Sequence, residues 1–185
     1  MSAPTRSGNR RFPTTLLLTC AALGVAGGLL LAPSNWLSTV LLTLGNPALS
    51  VAITGLWVLP SVIALRLLQR PLVGVLVGLI AGLVIVPFSG YGFYSVVTNV
   101  CWALPAELPF MLVLWRHWKT WMHYAGAALL GVVYPLFSWE FFQMSSQPLW
   151  SQILFFVVTF ASCIGATALG ILIADKLRAA GVGRR

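Results

Sequence analysis

Apolar residues occur along this chain in long runs, and polar residues are concentrated in the short intervals between them. A helix that crosses a bilayer needs about 20 mostly apolar residues. Six segments meet that requirement, and we number them spans 1 to 6: Thr14–Ala32, Ala48–Leu68, Leu72–Phe88, Ser95–Trp115, Trp121–Trp139 and Leu149–Ala174. The pattern predicts an all-α polytopic membrane protein with six transmembrane helices.

The intervals between the spans carry residues that are typical of turns. They read "APSN", "QRP", "PFSGYG", "RHWK" and "SSQP", and none is long enough for a soluble domain. The predicted organisation is an N-terminal tail of residues 1–13, one membrane domain of residues 14–175 and a basic C-terminal tail of residues 176–185. Span 1 follows arginines as a signal peptide does, but its apolar run is too long and no A-x-A site follows, so we expect it to be retained.

The distribution of lysine and arginine predicts the orientation of the chain. Six spans place all eleven basic residues on one side: before span 1, around the turns that follow spans 2 and 4, and after span 6. Because basic residues accumulate in cytoplasmic loops, both termini are predicted to be cytoplasmic in a cell membrane. The same distribution accounts for the net charge of +8, so no nucleic-acid partner is expected.

Motifs for catalysis, cofactors or structural metals are not found in the sequence. It contains no phosphate-binding G-x-x-x-x-G-K-[ST] and no H-E-x-x-H. Cys20, Cys101 and Cys163 have no metal-like spacing and are predicted to be small buried hydrophobes. His117 and His123 lie near the predicted cytoplasmic ends of spans 4 and 5 and are expected to be interfacial. We therefore predict neither an enzyme nor a cofactor.

Small residues recur at every fourth position in three spans, a spacing that allows close approach of helices. They are Ala22/Ala26 and Gly24/Gly28 in span 1, Gly74, Gly78 and Gly82 in span 3, and Ala166, Gly170 and Ala174 in span 6. Internal packing is expected for spans 3 and 6. The pairs in span 1 fit either internal packing or a groove that receives another subunit.

The three acidic residues are candidates for function, because acids in membrane spans usually face an interior or a cavity. Asp175 is next to Lys176 and is expected to be a solvated interface group. Glu140 lies among aromatic residues in "FSWEFFQMSSQ", including Trp139. That setting suits a cationic or amine-bearing aromatic ligand, and it equally suits a headgroup-level acid among lipid-facing rings.

Glu107 lies between Pro105 and Pro109, which leave the carbonyls of Cys101 and Pro105 without their helical donors. A buried, protonated Glu107 would donate a hydrogen bond to such a carbonyl, meet a partner helix or form the floor of a cavity. The predicted orientation places it toward the cytoplasm, whereas a substrate pocket would open outward. We therefore favour a structural, gating or coupling role over ligand contact.

Two further stretches predict a pocket wall. Ser50, Thr54, Trp57 and Ser61 share one face of a helix, and Trp57 lies at mid-membrane depth rather than at the interface. Hydroxyls in a span often bond only their own backbone, so this face is suggestive rather than specific. Asn99 and Trp102 share a face of span 4. The preceding "PFSGYGFY" loop, which ends at Tyr94, is placed to close over an outer pocket.

Three stretches together resemble the substrate-binding S components of energy-coupling factor (ECF) vitamin transporters. More narrowly, they resemble the YkoE-type family for thiamine or its hydroxymethylpyrimidine precursor. They are "GLWVLPSVIALRLLQRPLVGVLVGLIAGLV", "ALPAELPFMLVLWRHW" and the pair Trp139-Glu140. Two departures, "GLVIV" where the family often has an acid and Trp102 where it often has Gln, predict a more apolar pocket.

The resemblance implies a six-helix S component with an outward-facing vitamin site, which matches the family pattern at Trp57, Glu107 and Glu140. It also implies docking on a transmembrane coupling subunit through Ala22 and Ala26, with two cytoplasmic ATPases as the source of energy. An S component for another nutrient and a membrane scaffold without a small ligand are the alternatives.

Overall fold

The computed structural model describes residues 14–43 and 47–182, and seven α-helices run through them. They are α1 (Thr14–Thr43), α2 (Pro47–Val51), α3 (Leu59–Leu68), α4 (Val73–Ile85), α5 (Tyr94–Leu112), α6 (Thr120–Ser138) and α7 (Leu149–Ala179). Short 3-10 turns occupy Thr54–Trp57, Val86–Phe88 and Met144–Ser146. The described residues contain no strand, so the predicted all-α class is confirmed. The predicted N-terminal tail lies outside the described residues, and α7 continues into the predicted C-terminal tail as far as Ala179.

Four stretches are long and apolar enough to cross a membrane: Thr14–Thr43, Pro47–Leu68, Tyr94–Leu112 and Leu149–Ala179. The apolar helical stretch Val73–Phe88 is shorter than these, and α6 completes the bundle. The chain is therefore a multi-pass membrane protein. The turns predicted between α3 and α4, before α5, between α5 and α6, and before α7 are all present.

The turn predicted at "APSN" is wrong, because α1 continues through Pro33 to Thr43. Proline cannot donate to the carbonyl four residues earlier, yet the helix remains continuous around it. The neighbouring hydroxyl of Ser34 donates to the carbonyl of Leu30 at 3.0 Å. The carbonyl that Pro33 leaves without its helical donor is that of Leu29, so this bond lies beside the lost one and does not replace it. The extension carries Asn35 and Ser38 beyond the predicted end of span 1.

Span 2 was predicted as one continuous helix, and the structure instead breaks it between α2 and α3. Ser162 of α7 bridges the break: its hydroxyl accepts the N–H of Gly55 at 2.9 Å and donates to the carbonyl of Ala52 at 2.7 Å. A Cβ on Gly55 would lie 2.1 Å from the Ser162 carbonyl oxygen, so only glycine allows this approach. The break persists in an apolar setting because a neighbouring helix satisfies its backbone.

The small residues of α4 and α7 lie in contacts between helices, as predicted. A Cβ on Gly78 would approach the Ala103 side chain to 2.7 Å, and one on Gly170 would approach Val62 to 3.0 Å. Ala166 and Ala174 are buried. These contacts confirm the internal packing expected for spans 3 and 6.

The two small-residue pairs of α1 face in different directions. Gly24 and Gly28 are buried against α4, where an added Cβ would approach side-chain atoms of Ile80 or Val84 to 2.6 Å. They form part of the internal packing and are not available as a groove for another subunit. Ala22 and Ala26 are exposed on the opposite part of the helix surface.

Basic side chains collect at one end of the bundle, which we call the basic end. It carries the described residues Arg66, Arg70, Arg116, Lys119, Lys176 and Arg178, all at or between helix ends. Arg66 makes a bidentate ion pair with Asp175, at 2.9 and 3.1 Å, and donates to the Thr120 hydroxyl at 3.1 Å. Asp175 is therefore ion-paired as well as partly solvated, and Arg66 joins α3 to α6 and α7.

Two expectations about single residues were wrong. His123 was expected at the interface but is 3% exposed, with its ring 4.8 Å from that of Phe110, because α6 turns this side chain toward α5. Cys101 was expected to be buried but is exposed on α5, whereas Cys20 and Cys163 are buried as predicted.

Candidate functional site

A cavity of about 360 Å³ lies at the end of the bundle opposite the basic end. Its wall is built by the last turns of α1, the break between α2 and α3, the start of α5 and the end of α6 with the turn that follows. Aromatic side chains form much of this wall: Trp57, Tyr91, Tyr94, Trp102, Tyr134, Phe137, Phe141 and Phe142. We call it the aromatic cavity.

The break in span 2 places Thr54 and Trp57 on the cavity wall. In a continuous α-helix the backbone groups of this stretch would all bond within the helix. The 3-10 turn has a different number of residues per turn, so the side chains of Thr54 and Trp57 both face the cavity. Discontinuous helices are found at the binding sites of many transporters for the same reason. Ser162, which holds the break, is thus a positioning residue of the site.

One ring contact on the wall joins α5 to α6. The rings of Trp102 and Tyr134 have centroids 4.6 Å apart and planes inclined at 41°, and Trp102 is 8% exposed. The Tyr134 hydroxyl lies beside the side chains of Thr54 and Ser138. This arrangement offers a flat ligand both an apolar ring face and hydroxyl groups at its edge.

Four of the seven substrate-binding residues predicted from the sequence line the aromatic cavity: Thr54, Trp57, Tyr94 and Trp102. The other three lie off its wall. Asn99 is buried behind the wall, where its side-chain amide donates to the carbonyl of Ser95 at 2.8 Å. Glu140 is exposed, and the Trp139 ring packs on that of Phe156 at a centroid distance of 6.0 Å.

Several residues of the wall were not predicted. Asn35, Ser38, Thr39 and Leu42 were assigned to a loop, although their spacing corresponds to one helical face and was the signal that could have identified them. Tyr134 and Ser138 are likewise four residues apart on one face of α6. Both sets were missed because the sequence does not show which face of a mostly apolar helix meets a cavity.

Glu107 lies far from the cavity, at the N-terminus of α4. Its carboxylate accepts hydrogen bonds from the N–H of Val75 at 3.0 Å, from the indole N–H of Trp115 at 3.2 Å, and from the N–H of Leu72. A carboxylate at this position satisfies helix N–H groups that have no partner within the helix. Of the three alternatives given for Glu107, donation to a stranded carbonyl does not agree with these contacts, because all three groups donate to the carboxylate.

Glu107 also supports an unusual backbone conformation. Leu72 precedes α4 with φ of 61°, in the left-handed region, which costs energy for a branched side chain. The hydrogen bond from its N–H to Glu107 holds this turn in place. Glu107 thus connects α5 to the α3–α4 turn and, through Trp115, to the loop that follows α5.

The sequence profile of a transporter family, described as "ABC-type cobalt transport system, permease component", matches residues 16–134. The chain belongs to this family. Its members are transport components rather than enzymes, which agrees with the helical membrane bundle. No curated protein sequence matches the chain.

The fold is also that of a solved structure, "Crystal structure of an S-component of ECF transporter". The two share a TM-score of 0.82 at 18% sequence identity, over 93% of this chain and 88% of the other. At this identity the similarity establishes the fold. The predicted architecture of an S component is therefore confirmed, while the ligand is not identified by the comparison.

Proposed function

We propose that this chain is the substrate-binding S component of a bacterial ECF-type importer. It binds a small vitamin of the thiamine or hydroxymethylpyrimidine class from outside the cell. A transmembrane coupling subunit and two cytoplasmic ATPases then drive release inside. The observation that carries the proposal is the aromatic cavity, whose volume of about 360 Å³ lies within the range of roughly 300–1,000 Å³ that is usual for small-molecule sites.

The distribution of charge supports an outward-facing cavity. All six lysines and arginines among the described residues lie at the basic end, and the cavity lies at the opposite end. In a six-span topology the positive-inside rule places the basic end and both termini in the cytoplasm of the cell membrane. Substrate then enters from the outer side, and the basic end faces the ATPases.

The wall chemistry supports a flat heteroaromatic substrate. The rings of Trp57, Trp102 and Tyr134 provide faces for stacking, and hydroxyls such as that of Thr54 provide polar contacts. Glu140 is adjacent in sequence to the wall residue Phe141, so we propose that it contacts the amine of the ligand from the rim. Trp139 and Asn99 act behind the wall by supporting the side chains that form it.

The name of the family raises cobalt as a substrate, and the wall chemistry favours an organic molecule over the bare ion. Divalent cobalt is held by imidazole, thiolate or carboxylate ligands. The side chains that the described residues contribute to the cavity are hydroxyl, amide, ring and leucine groups. The described residues also contain no group of three or more His, Cys, Asp and Glu suited to a metal ion.

Docking on the coupling subunit is proposed to use Ala22 and Ala26. These residues are exposed on α1, while Gly24 and Gly28 hold the other side of the same helix against α4. An exposed pair of small residues allows close approach of a partner helix within the bilayer. One helix thereby serves both the fold and the interface.

The test is retention and titration of the ligand. The protein is purified in detergent, co-purifying small molecules are identified by mass spectrometry, and thiamine and hydroxymethylpyrimidine are titrated by calorimetry. Recovery or tight binding of either compound supports the proposal, and recovery of another vitamin corrects the ligand while keeping the S-component role. Absence of any small molecule, together with no ATPase partner on pull-down, indicates a membrane scaffold instead.

A further inference from the structure

Most serine and threonine hydroxyls on the wall of the aromatic cavity share one hydrogen-bonding direction. Six serine and threonine residues line the cavity, and five of them donate to backbone carbonyls. The bonds run from Ser38 to Ser50 (3.4 Å), Thr39 to Asn35 (3.1 Å), Ser50 to Pro47 (2.8 Å), Thr98 to Ser95 (3.0 Å) and Ser138 to Tyr134 (2.8 Å). The sixth, Thr54, lies beside the Tyr134 hydroxyl.

Each of these five bonds determines what the hydroxyl can offer to a ligand. A carbonyl oxygen only accepts, so the single proton of each hydroxyl must point toward its carbonyl. The oxygen lone pairs are then what remains for the cavity. A hydroxyl that donated to a ligand would first have to give up its bond to the carbonyl, which is unfavourable where water is scarce, as at the buried Ser50 and Ser138.

The faces of the aromatic rings have the same polarity, whereas the phenol O–H and indole N–H groups at their edges are donors. The faces of Trp57, Trp102 and Tyr134 carry the negative lobe of the ring quadrupole, which attracts positive charge and N–H groups. Hydroxyl oxygens and ring faces therefore both favour the electropositive part of a ligand. The amide of Asn35 adds a donor and an acceptor, which suits a ring nitrogen next to an amino group.

On the basis of the proposed function, we infer that the aromatic cavity recognises the N–H donor edge of its ligand through the lone pairs of the carbonyl-bonded hydroxyls. For an aminopyrimidine this edge is the exocyclic amino group. A ligand that presents a carbonyl, carboxylate or phosphate to the same positions meets lone pairs and is rejected. In the part of the wall that the structure describes, this selection uses no carboxylate, and the contact proposed for Glu140 is confined to the rim.

A matched pair of ligands tests this inference. Amino-hydroxymethyl-methylpyrimidine and its analogue with an oxo group in place of the amino group differ at the exocyclic position, where a donor becomes an acceptor, and at the adjacent ring nitrogen, which gains a hydrogen. Titration of the purified full chain is expected to show binding of the amine that is tighter by about 10- to 100-fold, since a mismatched buried acceptor remains unsatisfied. Equal or tighter binding of the oxo compound overturns the inference and leaves the proposed function intact.

Variants of Ser138 provide the second measurement. Ser138→Ala removes one acceptor and is expected to reduce the ratio of the two dissociation constants, while Ser138→Thr keeps the hydroxyl and restores it. The ratio is informative even if a variant is less stable, because loss of folded protein weakens both ligands equally. Equal weakening of both ligands by Ser138→Ala counts against the inference. If no small molecule binds at all, the proposed function fails and the inference fails with it.

Discussion

Replacement of Glu107 is expected to destabilise the fold while leaving ligand recognition unchanged. The buried carboxylate accepts the N–H groups of Leu72 and Val75 and the indole N–H of Trp115. Glu107→Ala leaves three donors unpaired, and each unpaired buried group costs about 1–3 kcal/mol. Because Leu72 is 49% exposed, we count only the other two donors and expect a loss of roughly 2–6 kcal/mol in the free energy of unfolding, against a typical stability of about 5–15 kcal/mol.

The glutamine variant refines this estimate. One carboxylate oxygen accepts from both Leu72 and Trp115, and the other accepts from Val75. In Glu107→Gln the amide oxygen can keep the first two bonds, while the amide N–H₂ group faces the N–H of Val75. The expected cost is therefore that of one lost bond, about 1–3 kcal/mol. The free energy of unfolding of Glu107→Gln should lie between those of the wild type and Glu107→Ala.

The assay is thermal unfolding of the detergent-purified protein, followed by tryptophan fluorescence. Glu140→Ala is the matched control, because Glu140 is an exposed acid and its loss should leave the midpoint nearly unchanged. The dissociation constant of the ligand, measured on the folded fraction of Glu107→Gln, should equal that of the wild type. A stable Glu107→Ala protein that no longer binds ligand would refute the helix-capping role and make Glu107 a ligand contact.

Three further substitutions test the site, its support and the proposed interface. Gly55→Ala should lower the unfolding midpoint, because its Cβ would lie 2.1 Å from the Ser162 carbonyl oxygen. Gly165→Ala is the control, since its Cβ would meet no atom within 4 Å. Equal midpoints for the two variants would contradict the tight contact at the break. Trp57→Ala should weaken ligand binding by about tenfold through the loss of one ring face, as measured by calorimetry, and an unchanged affinity would exclude this ring from the site. Ala26→Leu should reduce co-purification of the coupling subunit while ligand affinity is kept, and undiminished co-purification would move the interface elsewhere.

Local patterns along the chain account for the class of the protein and for part of the site. Runs of apolar residues predict membrane helices because the bilayer requires them wherever they occur. Thr54 and Trp57 were recognised by their spacing, and both line the cavity. Ser61 was predicted on the same helical face, but its hydroxyl donates to the Gly74 carbonyl at 3.0 Å. Residues that share one face in the sequence therefore lie partly on the cavity wall and partly in the core.

The features that the sequence did not show are those that depend on distant partners. Glu140 has an aromatic setting in sequence, yet it is exposed and lies off the cavity wall because the chain turns after Ser138. Glu107 accepts from N–H groups 35 and 32 positions earlier. No local pattern indicates which donors an intramembrane acid will meet.

The sequence by itself determined that this is a polytopic helical membrane protein whose basic residues collect at one end, because burial in lipid and charge at its boundary act on each segment separately. Only the tertiary structure decided where span 2 breaks and where the cavity opens. Ser162 holds that break from 107 positions away along the chain. Such a contact forms when helices pack, since the freed backbone groups of one helix are satisfied by a side chain of another.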